Sequence, residues 1–290
     1  MTAPIQEVLG LLDLEKIEEN IFRGRSPKDR LQRVFGGQVL GQALMAAAKT
    51  VEGRLCHSLH AYFLRAGDPK LPILYEVDRS RDGTSFTSRR VVAIQHGRPI
   101  FTLEASFQRD EPGYDHAFEM PAAPDPETLE SDAALRAKVA DRLPQELRDW
   151  ALRPRPIETR PVDPRSYFSP ASRPPHEMAW IRAVGAVPDD AALQQCLLAF
   201  ASDMSLIGTG MLPHGVGWFD DLVQMASLDH AMWFHRPFRV DQWMLYVQDS
   251  PSASGARSFN RGLIFTRDGK LAASVVQEGL MRPKREKSAR

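Results

Sequence analysis

The sequence predicts an α+β protein in which one structural unit occurs twice. The letters HAYFLR at residues 60–65 are echoed by HAMWFHR at residues 230–236. Each echo is preceded by an apolar helix candidate and followed by strand-like segments that end in a hairpin. A repeated order of helix and antiparallel strands favours a sheet packed on a helix, formed twice in one chain.

The two helix candidates both have the composition of buried helices. Residues 37–49 carry apolar or small side chains on almost every face and no acidic side chain. Residues 192–206 are similarly apolar but include one carboxylate, Asp203. A helix that is apolar all round belongs in the interior, so each candidate is predicted to form the centre of its unit.

A hairpin is predicted at the end of each unit. The first joins strands 90–95 and 100–107 through His96 and Gly97, and the second joins strands 261–266 and 271–278 through Asp268 and Gly269. Asp-Gly readily adopts the positive φ angles of a type I′ turn. A sheet that wraps a central helix is a hotdog domain, so the prediction is two tandem hotdog domains.

A polar segment separates the two units. It is rich in proline and charged residues and includes RPRP at residues 153–156. We therefore predict an N-terminal hotdog domain at residues 1–115, a linker at 116–160 and a C-terminal hotdog domain at 161–290. Within this segment, residues 127–147 are predicted to form an exposed helix.

Composition narrows the choice of partners and compartment. Lys plus Arg equals Asp plus Glu, at 37 each, so no net field draws the chain to nucleic acid or to a membrane. Cys56 and Cys196 lie among apolar neighbours and are predicted to be buried free thiols. We expect no signal peptide, no membrane span and a frayed basic tail at residues 287–290, which together favour a cytoplasmic protein.

Several catalytic signatures are missing from the sequence. It has no Gly-x-Ser-x-Gly elbow, no phosphate-binding glycine-rich loop and no His-Glu-x-x-His motif. His230 and His235 are five residues apart in a predicted strand, which is a poor spacing for a metal pair. A serine hydrolase or a metalloenzyme is disfavoured, and no cofactor is predicted.

Five segments carry a family resemblance, in the same order along nearly the whole chain. They are FGGQVLGQA at 35–43, HSLH at 57–60, RDGTSF at 81–86, DHAMWFHRP at 229–237 and VQEGLMR at 276–282. Together they resemble the acyl-CoA thioesterase II family. The resemblance implies a double hotdog, hydrolysis of medium- to long-chain acyl-CoA, no metal and no covalent intermediate.

The resemblance also implies three catalytic residues. Asp203 would accept a proton from water, while Ser227 and Gln277 would hold that water; Ser227 stands where the family usually has threonine. Helical spacing projects Asp203 from an apolar face, where burial raises the pKa of a carboxyl group unless hydrogen bonds stabilise its charged form. Such a carboxylate needs polar partners, which Ser227 and Gln277 would supply.

The first unit is predicted to lack a base, because its helix has no carboxylate and Ser106 takes the approximate place of Gln277. One catalytic centre per chain is therefore expected, with the amides of Gly36 and Gly37 at the start of the first helix binding the thioester carbonyl. His60 and His230 are interpreted as structural. The candidate ligands for the phosphates of coenzyme A are Arg89, Arg90, Arg257 and Arg261.

Two other functions remain open at this stage. One is a hotdog dehydratase of hydroxyacyl thioesters, which would use a histidine paired with an acid, such as His230 with Asp229. The other is a non-catalytic acyl-CoA binding protein, for which Asp203 would be dispensable. Exposed sheet edges favour a homodimer or homotetramer.

Overall fold

The computed structural model describes residues 4–27, 33–168, 170–218, 220 and 222–284. The predicted tail at residues 287–290 lies outside the described residues. The α-helices are α1 (Pro4–Leu12), α2 (Gly36–Ala48), α3 (Asp132–Ala137), α4 (Gln145–Leu152) and α5 (Ala191–Ser202). Short 3-10 helices span Pro126–Thr128, Ala140–Arg142 and Leu206–His214.

The strands follow the predicted repeat. They are β1 (Glu15–Glu18), β2 (Ile21–Gly24), β3 (Leu55–Phe63), β4 (Ile73–Asp82), β5 (Phe86–Gln95), β6 (Arg98–Gln108), β7 (Ile157–Pro161), β8 (His176–Ala183), β9 (Val223–Ser227), β10 (Asp229–Phe234), β11 (Met244–Ser254), β12 (Arg257–Thr266) and β13 (Leu271–Pro283).

The two repeats join into one antiparallel sheet. The strand order is β1-β2-β4-β5-β6-β3-β10-β13-β12-β11-β8-β7, with β9 paired to β13. The junction is the pair β3 and β10, which carry the echoed segments and place Leu59 opposite Met232. The predicted α+β class is confirmed, since one antiparallel sheet and the helices α2 and α5 share a single hydrophobic core.

Helices α2 and α5 run antiparallel through the core and are buried along most of their lengths. They approach so closely that a Cβ atom on Gly37 would lie 2.5 Å from the Phe200 carbonyl oxygen, and one on Gly41 would lie 3.0 Å from that of Cys196. Glycine is needed at Gly37 because no Cβ fits at that distance. The contact places the N-terminus of α2 beside the C-terminus of α5.

Both predicted hairpins form, but the turn of the second differs from the expectation. His96 and Gly97 both have positive φ angles, 51° and 67°, which suits a type I′ turn. At the second hairpin Gly269 has φ 88°, whereas Asp268 keeps a negative φ, so the type I′ prediction for Asp-Gly is wrong. The reason is loop length, because a bulge lets Phe265 pair with Leu271 across a longer turn.

The second core helix ends earlier than predicted. It stops at Ser202, Asp203 is its C-terminal cap with φ −83° and ψ −2°, and a 3-10 helix follows from Leu206. Residues Ala191–His214 are long and apolar enough to cross a membrane by length and composition, contrary to the sequence prediction. In the fold, 78% of the most apolar window of that stretch is buried inside the protein.

The segment between the repeats is more structured than predicted. Instead of one exposed helix over 127–147, it forms α3, α4 and two short 3-10 helices. Arg136, Ala140 and Leu143 are buried there, because the segment packs on itself. Cys56 and Cys196 are buried free thiols, as predicted. The numerical domain boundaries stay predictions.

Candidate active site

Asp203 lies where the two core helices meet. Its side chain is 3% exposed. The backbone N–H of Gly37, in the first turn of α2, donates to the carboxylate. A Cβ atom on Gly36 would lie 2.7 Å from Asp203 Oδ2, so glycine at this position leaves room for the carboxylate. The antiparallel helix pair thus brings a helix N-terminus, which favours negative charge, to the acid.

Ser227 and Gln277 reach the same carboxylate from the sheet. Ser227 ends β9 and its Oγ donates to Asp203 Oδ1 at 3.3 Å. Gln277 lies on β13 and its Nε2 donates to the same oxygen at 2.6 Å. The structure therefore brings together the three residues that the sequence singled out, from three different elements.

His230 completes the cluster and was missed as a site residue. It is fully buried on β10, and its Nδ1 accepts from Gln277 Nε2 at 3.2 Å. Its Nε2 lies 3.0 Å from Ser202 Oγ, and that hydroxyl donates to the Ala199 carbonyl at 2.9 Å. These contacts assign the proton of the imidazole to Nε2.

A signal for His230 was present in the sequence. His230, Met232 and Phe234 alternate along β10 and all three are buried, which is the period of a strand with one buried face. The repeated letters led both histidines to be interpreted alike, whereas in the structure His60 is exposed and His230 is buried. The matching residues of the two repeated segments point to opposite faces of the sheet, so the two histidines are not structurally equivalent.

Burial sets the ionisation of the cluster. Desolvation raises the pKa of Asp203 to about 6, against the lowering effect of hydrogen bonds from Gln277, Gly37 and Ser227. Desolvation lowers the pKa of His230 to about 3, so its imidazole is neutral at physiological pH. The 3.9 Å approach of His230 Nδ1 to Asp203 Oδ1 is therefore not an ion pair.

The amide of Gln277 leaves one acceptor available. Its Nε2 group uses both hydrogens, one on Asp203 and one on His230. Its Oε1 is buried and has no hydrogen-bond partner within the described part of the chain. An orphaned acceptor next to a carboxylate suits the second hydrogen of a water molecule held by that carboxylate.

Comparisons with known proteins identify the family of this chain. A family model described as acyl-CoA thioesterase matches residues 152–280, and one described as acyl-CoA thioesterase N-terminal domain matches residues 25–108. Human acyl-coenzyme A thioesterase 8 is 46% identical over 96% of this chain and 89% of its own length. The chain belongs to the acyl-CoA thioesterase family.

Other members extend the similarity to bacteria and to a solved structure. Acyl-CoA thioesterase 2 of Haemophilus influenzae is 40% identical, over 97% of this chain and 99% of its own. The crystal structure of an acyl-CoA thioesterase II from Mycobacterium marinum is 42% identical, covers 96% of this chain and 98% of its own, and has a TM-score of 0.78. The predicted family and double-hotdog fold are confirmed.

The two glycines of this thioesterase have different roles from the one expected. The amide of Gly37 donates to Asp203, so it is not free for a thioester oxygen. The N–H of Gly36 has no hydrogen-bond acceptor among the described residues. The prediction that both amides bind substrate is corrected, because the carboxylate occupies one of them.

The predicted phosphate ligands do not gather at this site. Arg89 is 2% exposed, and all five of its N–H groups donate within the protein, to Thr50, Arg81, Ser88 and Asp82. It also lies near the C-terminal end of α2, opposite the end that meets Asp203. Arg89 is therefore corrected to a structural residue.

The other three arginines lie on the outward face of the sheet. Arg90 is exposed, Arg257 is paired with Glu278 at 2.8 Å and Arg261 with Asp249 at 2.7 Å. They alternate along their strands with the buried residues Arg89, Ser258 and Asn260. Their side chains therefore point to the outer face of the sheet, whereas Gln277 points to the inner face. This part of the prediction is also corrected. The nearby cation is Arg33, whose charge lowers the pKa of Asp203.

Two further expectations change with the strand register. Asn260 pairs with Gln277 in the second hairpin, and the corresponding pair in the first is Arg89 with Ala105, so Ala105 rather than Ser106 matches Gln277.

Asp229 accepts from the Glu278 backbone N–H at 2.6 Å, on the strand face opposite His230. The histidine and acid of a dehydratase are thus not paired.

Proposed function

We propose that this protein hydrolyses medium- to long-chain acyl-CoA to a fatty acid and coenzyme A, with water activated by Asp203. One observation carries the proposal: a buried carboxylate with a pKa of about 6 accepts hydrogen bonds from Gln277, Gly37 and Ser227. At pH 7 to 8 this group is ionised, and it is a stronger base than an exposed aspartate.

The reaction follows from this geometry. Water donates one hydrogen to Asp203 and the other to Gln277 Oε1, then attacks the thioester carbonyl carbon as its first proton passes to the carboxylate. The N–H of Gly36, at the N-terminus of α2, is the available donor for the oxyanion. Collapse of the tetrahedral intermediate breaks the C–S bond, and the proton on Asp203 is returned to the departing thiolate.

The surroundings of the carboxylate support an acyl substrate. A Cβ atom on Gly36, which lies next to Asp203, would meet the Phe63 ring at 3.0 Å. One on Gly279, the strand partner of Ser227, would meet Ile207 at 2.3 Å, so apolar side chains lie close to both glycines. Phe35 and Phe200 pack edge to face nearby, with centroids 5.2 Å apart. Such a lining favours an acyl chain over a polar group.

A thiol-release assay with acyl-CoA substrates of increasing chain length tests the proposal. We expect Asp203→Asn to lower kcat by about 10²- to 10⁴-fold, the usual contribution of a general base. Asp229→Asn is the matched control, since Asp229 is half-buried one residue from His230 but faces the other way. We expect that variant to retain turnover within a few-fold.

The competing functions give different results. A dehydratase would lose turnover with Asp229→Asn and would release no thiol, and a binding protein would release none with any variant. Unchanged thiol release by Asp203→Asn would reject Asp203 as the base. The chain-length preference is tested separately, by comparing kcat/KM across the substrate series.

We further propose a cytoplasmic homodimer or homotetramer that binds neither nucleic acid nor membranes. Support comes from β1 and β7, which end the sheet path, and from the balanced formal charge. Light scattering coupled to size-exclusion chromatography measures the oligomeric state, and a monomer at micromolar concentration would reject the assembly. Fluorescence microscopy of the tagged chain in its host tests the location.

A further inference from the structure

The duplicated fold contains a counterpart of the catalytic cluster in the first repeat. Asp203 caps the C-terminus of α5, and Lys49 caps the C-terminus of α2. In the hairpin of the second repeat Gln277 pairs with Asn260, and at the same place in the first repeat Ala105 pairs with Arg89. Two residues further along each last strand, Gly279 pairs with Ser227 and Phe107 pairs with Cys56. The counterparts of Asp203, Ser227 and Gln277 are therefore Lys49, Cys56 and Ala105.

A cavity lined mainly by cations lies beside one of these counterparts, Lys49. A cavity of about 410 Å³ is lined by Lys49, Thr50 and Arg89, together with Arg54, Arg79, Glu52 and Asp82. Four cations and two carboxylates line it. One of the two carboxylates, Asp82, is already paired with Arg89 at 2.7 Å. The remaining lining has an excess of positive charge.

Arg54 supplies the strongest indication of a ligand. Its Nη atoms donate to Thr87 Oγ1 at 2.7 Å and to the carbonyls of Gly83 and Thr84 at 2.7 and 2.9 Å. All of these partners are neutral. Its Nε is buried without a hydrogen-bond acceptor, and no carboxylate lies within ion-pair distance of Arg54 in the described residues.

A partly buried guanidinium with no counter-ion and an orphaned donor is unfavourable until an anion joins it. Guanidinium groups bind phosphate oxygens through paired N–H donors, and an exposed lysine adds charge without fixed geometry. Arg54 is held by three hydrogen bonds, whereas Lys49 and Arg79 reach the cavity from exposed positions. Arg79 is hydrogen-bonded to Asn20 and lies 3.6 Å from a Glu19 carboxylate oxygen, so the lining combines one preorganised donor, Arg54, with one adaptable cation, Lys49.

We propose that this cavity binds a phosphate- or diphosphate-bearing anion, at a site separate from the Asp203 cluster. The 13 residues of α2 separate the two sites by about 18 Å, from the rise of 1.5 Å per residue. The diphosphate can belong to a free small molecule or to the coenzyme A part of a substrate. Both sources present the same chemistry to the cations.

Calorimetric titration with inorganic pyrophosphate tests the site. We expect the intact protein to bind with Kd below about 1 mM at physiological ionic strength, and Lys49→Glu to weaken binding by at least about tenfold. Arg98→Glu is the control, because Arg98 is exposed in the first hairpin and the substitution changes the net charge equally. Circular dichroism checks that both variants are folded.

Each outcome is decisive. Absence of pyrophosphate binding by the unmodified protein, or equal weakening by Lys49→Glu and Arg98→Glu, overturns the proposal. Selective weakening by Lys49→Glu supports it. The KM for acyl-CoA, measured without pyrophosphate, then identifies the source: a raised KM in Lys49→Glu assigns the site to the substrate's own diphosphate, and an unchanged KM assigns it to a separate ligand.

Discussion

The amide nitrogen of Gln277 lies 2.6 Å from Asp203 Oδ1 and 3.2 Å from His230 Nδ1, so one NH₂ group joins the carboxylate to the imidazole. Because both acceptors are fixed and the nitrogen is the donor to each, the amide has one orientation. Its oxygen must then point away from both. The position of the remaining acceptor at the site is thus set by His230, whose imidazole is hydrogen-bonded to this amide and to Ser202.

The pH dependence of hydrolysis should report the ionisation of Asp203. The pKa of about 6 predicts that kcat/KM falls about tenfold per pH unit below that value. Gln277→Ala removes a hydrogen bond to the charged form of Asp203, so the pKa of Asp203 rises. The acidic side of the pH–rate curve then moves to higher pH by about one unit. Stopped assays over pH 4.5 to 8.5 measure both curves. Gln224→Ala, on the exposed side of β9, is the control, and an unmoved curve in Gln277→Ala would contradict the assignment.

Gly36→Ala should impair catalysis by displacing the carboxylate. The added methyl would lie 2.7 Å from Asp203 Oδ2, which is too close for any real contact. We expect kcat to fall about tenfold or more, because small misplacements of a catalytic group have large effects. Gly10→Ala is the comparison, as a Cβ there meets nothing within 4 Å in α1. That variant should keep its activity and gain about 0.5 to 1 kcal/mol of stability; equal activity in both variants would refute the steric argument.

Asp203→Asn should stabilise the protein at neutral pH. The native pKa of about 6 exceeds the usual value of 3.8, so the native state holds the proton more tightly between these two values. Stability therefore falls as pH rises through that window, and above pH 6 the full penalty of the buried charge is present. Removing it should raise the free energy of unfolding at pH 7.5 by about 1 to 3 kcal/mol. Urea unfolding at pH 7.5 and pH 4 measures the gain, which should shrink at the lower pH; a gain independent of pH would point to another cause.

His230→Leu should lower kcat although the histidine does not titrate in the working range. The substitution removes the acceptor that fixes the Gln277 amide, so the water-binding oxygen loses its single orientation. We expect kcat to fall about tenfold with a smaller change in KM, since the loss acts on the reacting water. His235→Leu serves as the control, because His235 also bonds a serine, Ser274, but lies outside the cluster. An equal fall in both variants would show a general effect of losing a histidine.

The pattern of side chains alone predicted much of the architecture. Helix α2 begins within one residue of its predicted start, because an uninterrupted run of apolar and small residues has to be buried. Both hairpins form at the predicted turns, since glycine follows a polar residue between two apolar strands. The catalytic trio came from motif resemblance rather than from patterning, as a single aspartate, serine and glutamine carry little information separately.

Tertiary structure decided which residues meet. Alternation along a strand fixes which side chains share a face, but only the pairing of β10 with β3 and β13 determines that the face with His230 is the inner one. The same pairing exposes His60, although its sequence context is similar. The antiparallel crossing of α2 and α5 brings Gly37 to Asp203 across more than 160 positions of sequence and places Arg89 at the opposite end. No local property of the chain encodes such contacts, because they arise from how two buried helices and one shared sheet fill a common core.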